Sequence, residues 1–221
     1  MARVTLYLVR HAESAANPDR IHQHRDTPLH ERAGAQIAAL EQRLRRFDIH
    51  TLVASPFART VATAEGVATG LGLPVRLLDD LREIRRPREM QGKATTDPDV
   101  LAIQAELARH FEEGSWRYSD EETFEELKTR GLSVLQQILD LNSPSVLAVS
   151  HAAIIRVIVA CALFGTRLTP HDYMGFWHTV MDNVSVTELV HDPAAADMSP
   201  WGNPWKLLTF NSRTIDGEGR S

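Results

Sequence analysis

The chain is poor in cysteine: of its 221 residues only Cys161 carries a thiol. One cysteine closes no internal disulfide and builds no thiolate metal cluster. Set in the largely apolar run 154–163, Cys161 reads as a buried core residue rather than an exposed nucleophile. An excess of basic charge is also missing. The formal net charge is -5, which argues against a general nucleic-acid binder and requires any positive site to be a local pocket. No apolar stretch approaches the roughly 20 residues of a membrane span. The N-terminus enters a strand pattern without the basic and apolar regions of a signal peptide, so the expectation is a cytoplasmic protein with no membrane partner. Internal repeats, low-complexity tracts and linker-like shifts of composition are absent too. The economical description is a single domain over residues 1–221, long enough to bury a layered core.

What is present centres on Leu6-Tyr7-Leu8-Val9-Arg10-His11-Ala12-Glu13-Ser14. Residues 4–9 mix β-branched, aromatic and leucine side chains with almost no polar relief, the pattern of a strand covered on both faces in a parallel sheet. Such sheets bind ligands at the carboxyl ends of their strands. Arg10 and His11 fall at that end, a permanent cation beside a group able to act as nucleophile, base or acid near neutral pH. The pair suits a phosphoryl group.

Strand and helix patterns then alternate. Residues 12–29 are polar and turn-rich, and a helix follows on Ala33, Ile37, Leu40 and Leu44. Residues 51–54 form a second strand, and Ser55-Pro56 reads as a helix start with serine as the cap. Arg59 then lies in the first turn, where amides and helix dipole favour an anion. A third strand spans 75–78. Residues 85–120 break the alternation and read as an insertion over the site, helical over 98–111. A helix over 122–141, a fourth strand over 145–149 and a nearly all-apolar helix after His151 complete the pattern. Closing strands are expected at 184–190 and 205–210 around a loop at 192–204, with a loose tail over 211–221. The fold class is therefore α/β: a three-layer α/β/α sandwich with a mostly parallel central sheet.

Three strand ends thus carry Arg10-His11, Arg59 and His151. The sequence Arg10-His11-Ala12-Glu13-Ser14-Ala15-Ala16-Asn17, the segment Ser55 to Ala64 and the segment Val149 to Arg156 resemble, in order, three motifs of the histidine phosphatase superfamily, whose fold is phosphoglycerate-mutase-like. The likeness runs from Val4 to about Leu189. It implies that His11 attacks phosphorus and becomes a phosphohistidine. Arg10, Arg59 and His151 would hold the equatorial oxygens, with Asn17 as an extra donor. It also implies a carboxyl acid and base after the third strand, a position matched by Glu83; Glu13, Asp80 and Glu89 are the substitutes. Chemistry agrees with these roles, since an attacking imidazole must be neutral at its reacting nitrogen and clustered cations stabilise charge on the transferring oxygens. A phosphate dianion beside His151 would favour its protonated form.

Alanine stands in place of the family's glycine after both histidines, at Ala12 and Ala152, which requires negative φ at both. The family's tryptophan-containing segment after the acid is replaced by Arg85-Arg86-Pro87-Arg88-Glu89-Met90-Gln91-Gly92. Those arginines either read a second anion or form a solvated charge run. His22, His24, His171 and His178 lack partners at ligand spacing and are read as solvent-facing, with no metal expected. Trp116, Tyr118, Phe176 and Trp177 are candidates for the mouth of the site or for core packing. The expected activity is a cofactor-independent phosphatase acting on a small phosphomonoester. The alternatives are a phosphoglycerate mutase using the same residues, and a noncatalytic phosphate-ligand or protein-binding module.

Overall fold

A computed structural model describes residues 2–198 and 202–213. Its centre is a six-stranded sheet in the order β3-β2-β4-β1-β5-β6. The strands are β1 (Val4–Arg10), β2 (Thr51–Ala54), β3 (Val75–Leu77), β4 (Ser145–Ser150), β5 (Val186–His191) and β6 (Trp205–Ser212). The first four run parallel, and β5 is antiparallel to both of its neighbours. β4 sits between β1 and β2, so the three strand ends marked by the sequence are adjacent.

Alternation along the strands sends side chains to two cores. Leu6, Leu8, Val53, Val146 and Ala148 face α4 (Phe124–Asp140) and α5 (Ala152–Phe164). Tyr7, Val9, Leu52, Ala54, Leu147 and Val149 face α1 (Ala33–Leu44) and α2 (Ala58–Leu71). The central strands are therefore apolar through their middle positions, Leu6 to Val9, Leu52 to Ala54 and Val146 to Val149, as burial on both faces demands. The apolar girth of α5 has the same cause: it packs on β1, β6 and α4 at once. A Cβ at Gly131 of α4 would stand 2.7 Å from Cys161 Sγ and 2.9 Å from Val157 Cγ1, so the helices approach too closely there for any other residue. Cys161 is 1% exposed, and burial pushes its thiol up to about 12, the state of an inert core residue.

Several boundaries differ from expectation for local reasons. α2 begins at Ala58 after Phe57, and the Ser55 side chain does not cap it; that hydroxyl is used elsewhere, as described below. α4 starts at Phe124 because Thr123 and Glu126 form a reciprocal capping box. The insertion helix α3 (Pro98–Arg109) starts behind Asp97, whose side chain accepts from Asp99 N, and ends two residues before Phe111. A short helix α6 (Pro170–Trp177) forms behind a second capping box, Thr169 with Asp172, where no helix was expected. The stretch 192–204, expected as a loop, contains α7 (Pro193–Met198). The final strand continues through Asn211 and Ser212, two residues expected in the loose tail, because Arg43 donates to Ser212 O at 2.7 Å and Asn211 joins Asp182. Residues 214–221 of that expected tail lie outside the described residues. Among those described, no helix is long and apolar enough to cross a membrane.

Candidate active site

The carboxyl ends of β1, β2 and β4 bring His11, Arg59 and His151 into one buried cluster. Arg59 is its hub, 2% exposed. Its Nε–H donates to His11 Nε2 at 3.2 Å, Nη2 to His151 Nδ1 at 3.0 Å and Nη1 to His24 O at 3.0 Å. Because guanidinium only donates, both histidine atoms it meets must be acceptors. Each ring's other nitrogen agrees. His11 Nδ1–H donates to Ala12 O at 2.7 Å, and His151 Nε2–H donates to Ser55 Oγ at 2.8 Å. The tautomers are thus fixed from both sides, with the His11 lone pair on Nε2.

Burial, followed by the charges of Arg59 and Arg10, holds the imidazolium form of both histidines well below the usual histidine range. Both are neutral at pH 7. Burial also brings Arg59 down to about 10, where it remains a cation at that pH. Of the two histidines, His151 lies deeper. It is fully buried behind Arg59, its ring 5.3 Å from that of His11.

A cavity of about 360 Å³ opens in front of this cluster, lined among others by Arg10, His11, Arg59, Glu83, Arg86 and His22. Arg10 donates through Nη1 to Met181 O, but its Nε is buried without a partner, and so is His22 Nε2. Orphaned polar atoms in such a wall call for a polar ligand. Glu83 is the one carboxylate among the lining residues. Its oxygens accept from Ile84 N at 2.9 Å, Ile154 N at 3.1 Å and Ala153 N at 3.4 Å, which seats it on the N-terminus of α5. The substitute carboxylates do not line the cavity: Glu13 lies by Gln36, Asp80 accepts from Ser133 and Gln137, and Glu89 accepts from Ser119.

Asn17 does not line the cavity either. Its Oδ1 accepts from Ser14 N at 2.8 Å, so the side chain ties the loop after β1 together. Ala12 and Ala152 both avoid positive φ and so fit without glycine. Val184 instead takes a φ of 53°, an outlier for a β-branched residue. Its turn wraps the end of β1: Val184 N donates to Arg10 O at 3.0 Å and Asn183 Nδ2 to His11 O at 2.8 Å.

Ser55, Asn183, His22 and Arg86 are the participants that sequence reasoning missed or left open. Ser55 stands at a strand end like the others, a signal obscured by the following proline. His22 is turned inward rather than to solvent. The arginine run divides: Arg86 turns into the cavity wall with its guanidinium 4.9 Å from the Trp177 ring, while Arg88 is 72% exposed on its side chain. Of the aromatic candidates, Trp116 and Trp177 line a second chamber, Phe176 packs on Phe164, and Tyr118 is exposed. His171 is exposed beside Glu112. Among the described residues no group of three or more His, Cys, Asp or Glu side chains is placed to hold a metal ion.

The sequence profile of the histidine phosphatase superfamily (branch 1) matches residues 6–204, and the chain belongs to that superfamily. It is an enzyme of the phosphatase-or-mutase kind. Over 161 residues it is 31% identical to a Cronobacter sakazakii protein named "Probable phosphoglycerate mutase GpmB", covering 72% of this chain and 74% of that one. Over 185 residues it is 30% identical to phosphoserine phosphatase 1 of Hydrogenobacter thermophilus, covering 82% and 84%. The solved structure of a mycobacterial glucosyl-3-phosphoglycerate phosphatase superposes with a TM-score of 0.78 at 23% identity, over 96% of this chain and 100% of that one. At that identity the likeness is one of fold.

Proposed function

We propose that the chain is a phosphatase that hydrolyses a small phosphomonoester through a phosphohistidine on His11, without a cofactor. The observation that carries this reading is the state of His11: neutral, its Nδ1–H tied to Ala12 O, its Nε2 lone pair beside Arg59 on the cavity wall. Arg59 presently covers that lone pair. The oxygens of an incoming phosphoryl group take over the Arg59 and Arg10 donors, which frees Nε2 to attack phosphorus. His151 stands behind Arg59; once Arg59 turns to the oxygens, His151 Nδ1 is freed, takes a proton beside the phosphate dianion and donates it in a hydrogen bond to an oxygen.

In the first step the Nε2–P bond forms as the ester P–O bond breaks, and the leaving oxygen takes a proton from Glu83. Water then attacks phosphorus and gives its proton to Glu83. The P–N bond breaks, its electron pair returns to Nε2, and inorganic phosphate leaves. Hydrolysis rather than transfer back to substrate is favoured by exposed residues at the cavity rim, Arg25, Arg85 and Gln91, which leave the site open to water.

A mutase reading is supported by the relatives carrying that name. One screen separates the two: phosphate release from sugar phosphates, nucleotides, phosphoglycerates and an aryl phosphate, with EDTA present and a His11→Ala variant alongside. The expected result is release that EDTA does not stop and the variant lacks. Isomerisation of phosphoglycerate with little release would replace the phosphatase reading with the mutase. Silence across the panel would favour a noncatalytic binder.

A further inference from the structure

Beside the reaction cavity lies a second chamber, also of about 360 Å³. The two share Ile84, Arg85 and Arg86 as a common wall, so they are neighbours with Arg86 between them. The chamber has a different character. Leu107, Phe111, Trp116, Phe124, Tyr173 and Trp177 line it, and the carboxylates on its wall are already engaged. Glu122 pairs with Arg130 at 2.7 Å and accepts from Arg85 N at 2.8 Å, while Glu121 accepts from the amides of Tyr118 and Ser119. Trp116 is held flat by stacking on His110, 4.4 Å between ring centres.

One polar atom in this wall is unsatisfied. Tyr173 is 2% exposed, and its hydroxyl is buried without a hydrogen-bond partner. Its ring packs against Phe111 and Trp177, and the charged groups that act on the phenol are Arg86, Arg156 and Glu83. Tyr173 and Arg86 thus line the chamber together, and Arg86 is shared with the reaction cavity. A free phenolic O–H there is a donor waiting for an acceptor.

We propose that this chamber holds the alcohol portion of the substrate: the preferred substrate is a phosphomonoester whose leaving alcohol carries a neutral, flat apolar body, with a hydrogen-bond acceptor placed at Tyr173 and Arg86. The inference rests on the phosphatase reading above. The phosphoryl group occupies the cationic cavity, the acceptor meets the Tyr173 hydroxyl, and the ring system lies among the aromatic walls, where its burial gives affinity. A substrate as small as phosphoserine or phosphoglycerate would leave the apolar space unfilled.

The test uses esters with the same alkyl leaving oxygen, so that the chemistry is matched: ethyl phosphate, 2-(2-naphthyl)ethyl phosphate and 2-(2-naphthyloxy)ethyl phosphate. The naphthyl esters should exceed ethyl phosphate in kcat/KM by about 100-fold, from the apolar area buried. An Ala108→Trp variant, built at an exposed residue on the chamber rim, should bring the naphthyl esters down towards ethyl phosphate and leave ethyl phosphate unchanged. Tyr173→Phe should lower the ether-containing ester about tenfold, and the naphthylethyl ester little. Binding of the unreactive alcohol 2-(2-naphthyl)ethanol, read by tryptophan fluorescence, needs no turnover. Binding of that alcohol without hydrolysis of any ester would uphold the chamber and overturn the phosphatase reading. Equal turnover of all three esters, unaffected by Ala108→Trp, would overturn the chamber proposal and leave the phosphatase reading standing.

Discussion

The ends of β1, β2 and β4 and the segment from Arg82 to Thr123 border the same cavity, yet they are built by opposite means. At the strand ends each functional side chain is fixed by sheet register and by Arg59, which spends its three nitrogens on two histidines and a carbonyl. In the segment, short turns at Arg88–Met90 and Phe111–Glu113 flank one helix, and a small apolar cluster of Met90, Val100 and Ile103 holds it together. Under the proposed function, the comparison teaches that transfer chemistry is seated where packing leaves no alternative, and selectivity where residues can change without disturbing the sheet.

The most severe break in that comparison is Arg59→Ala. It strips a donor from the reacting site and should lower kcat by about 10²–10³-fold in steady-state assays. Glu83→Gln should sharpen the division of labour within the cavity. Turnover of alkyl phosphates should fall by about 10²-fold, while an aryl phosphate with a good leaving group should fall far less in its first step. Pre-steady-state release of the phenol separates that step from dephosphorylation.

Stability against pH should report the strand ends most strongly. His11 and His151 have ordinary values of 6.5 when unfolded and lie well below that when folded, through burial first and the neighbouring arginines second. Between those values the unfolded chain binds protons that the folded chain refuses. Stability should therefore fall as pH drops below about 6.5, with a slope approaching about 1.4 kcal/mol per pH unit for each histidine. Thermal melts from pH 8 to pH 5 measure it, and His151→Gln should remove that residue's share. The smallest effect belongs to the segment. Asp97→Ala removes the side chain that caps α3 and should cost about 1 kcal/mol in a denaturant titration, with phosphate release from ethyl phosphate unchanged.

The same contrast governs what the sequence made legible. Apolar runs that stop abruptly at Arg10-His11 and at His151 are local patterns, and a parallel sheet turns each into a position at one edge. Arg59 followed from a strand-to-helix junction. Ser55 was misassigned because serine before proline carries a strong local capping signal, while its true partner, His151, is 96 residues away. Asn183 could not be read at all, since its bond to His11 O spans 172 residues with no motif at either end. The division of the arginine run, with Arg86 inside and Arg88 outside, depends on a cation over the Trp177 ring that lies in the unforeseen helix α6. Side chains whose places are set by tertiary partners leave no periodicity to find.

The measurement that tests the central claim most directly is a rapid-quench trap under alkaline conditions, followed by peptide mass spectrometry, during turnover of an aryl phosphate. The account predicts one phosphoryl group on the peptide that contains His11, formed at least as fast as phosphate is released, labile to acid and absent in His11→Ala. Phosphate release at full rate, with no phosphoryl group on His11 at any time or with the label on another residue, would contradict it.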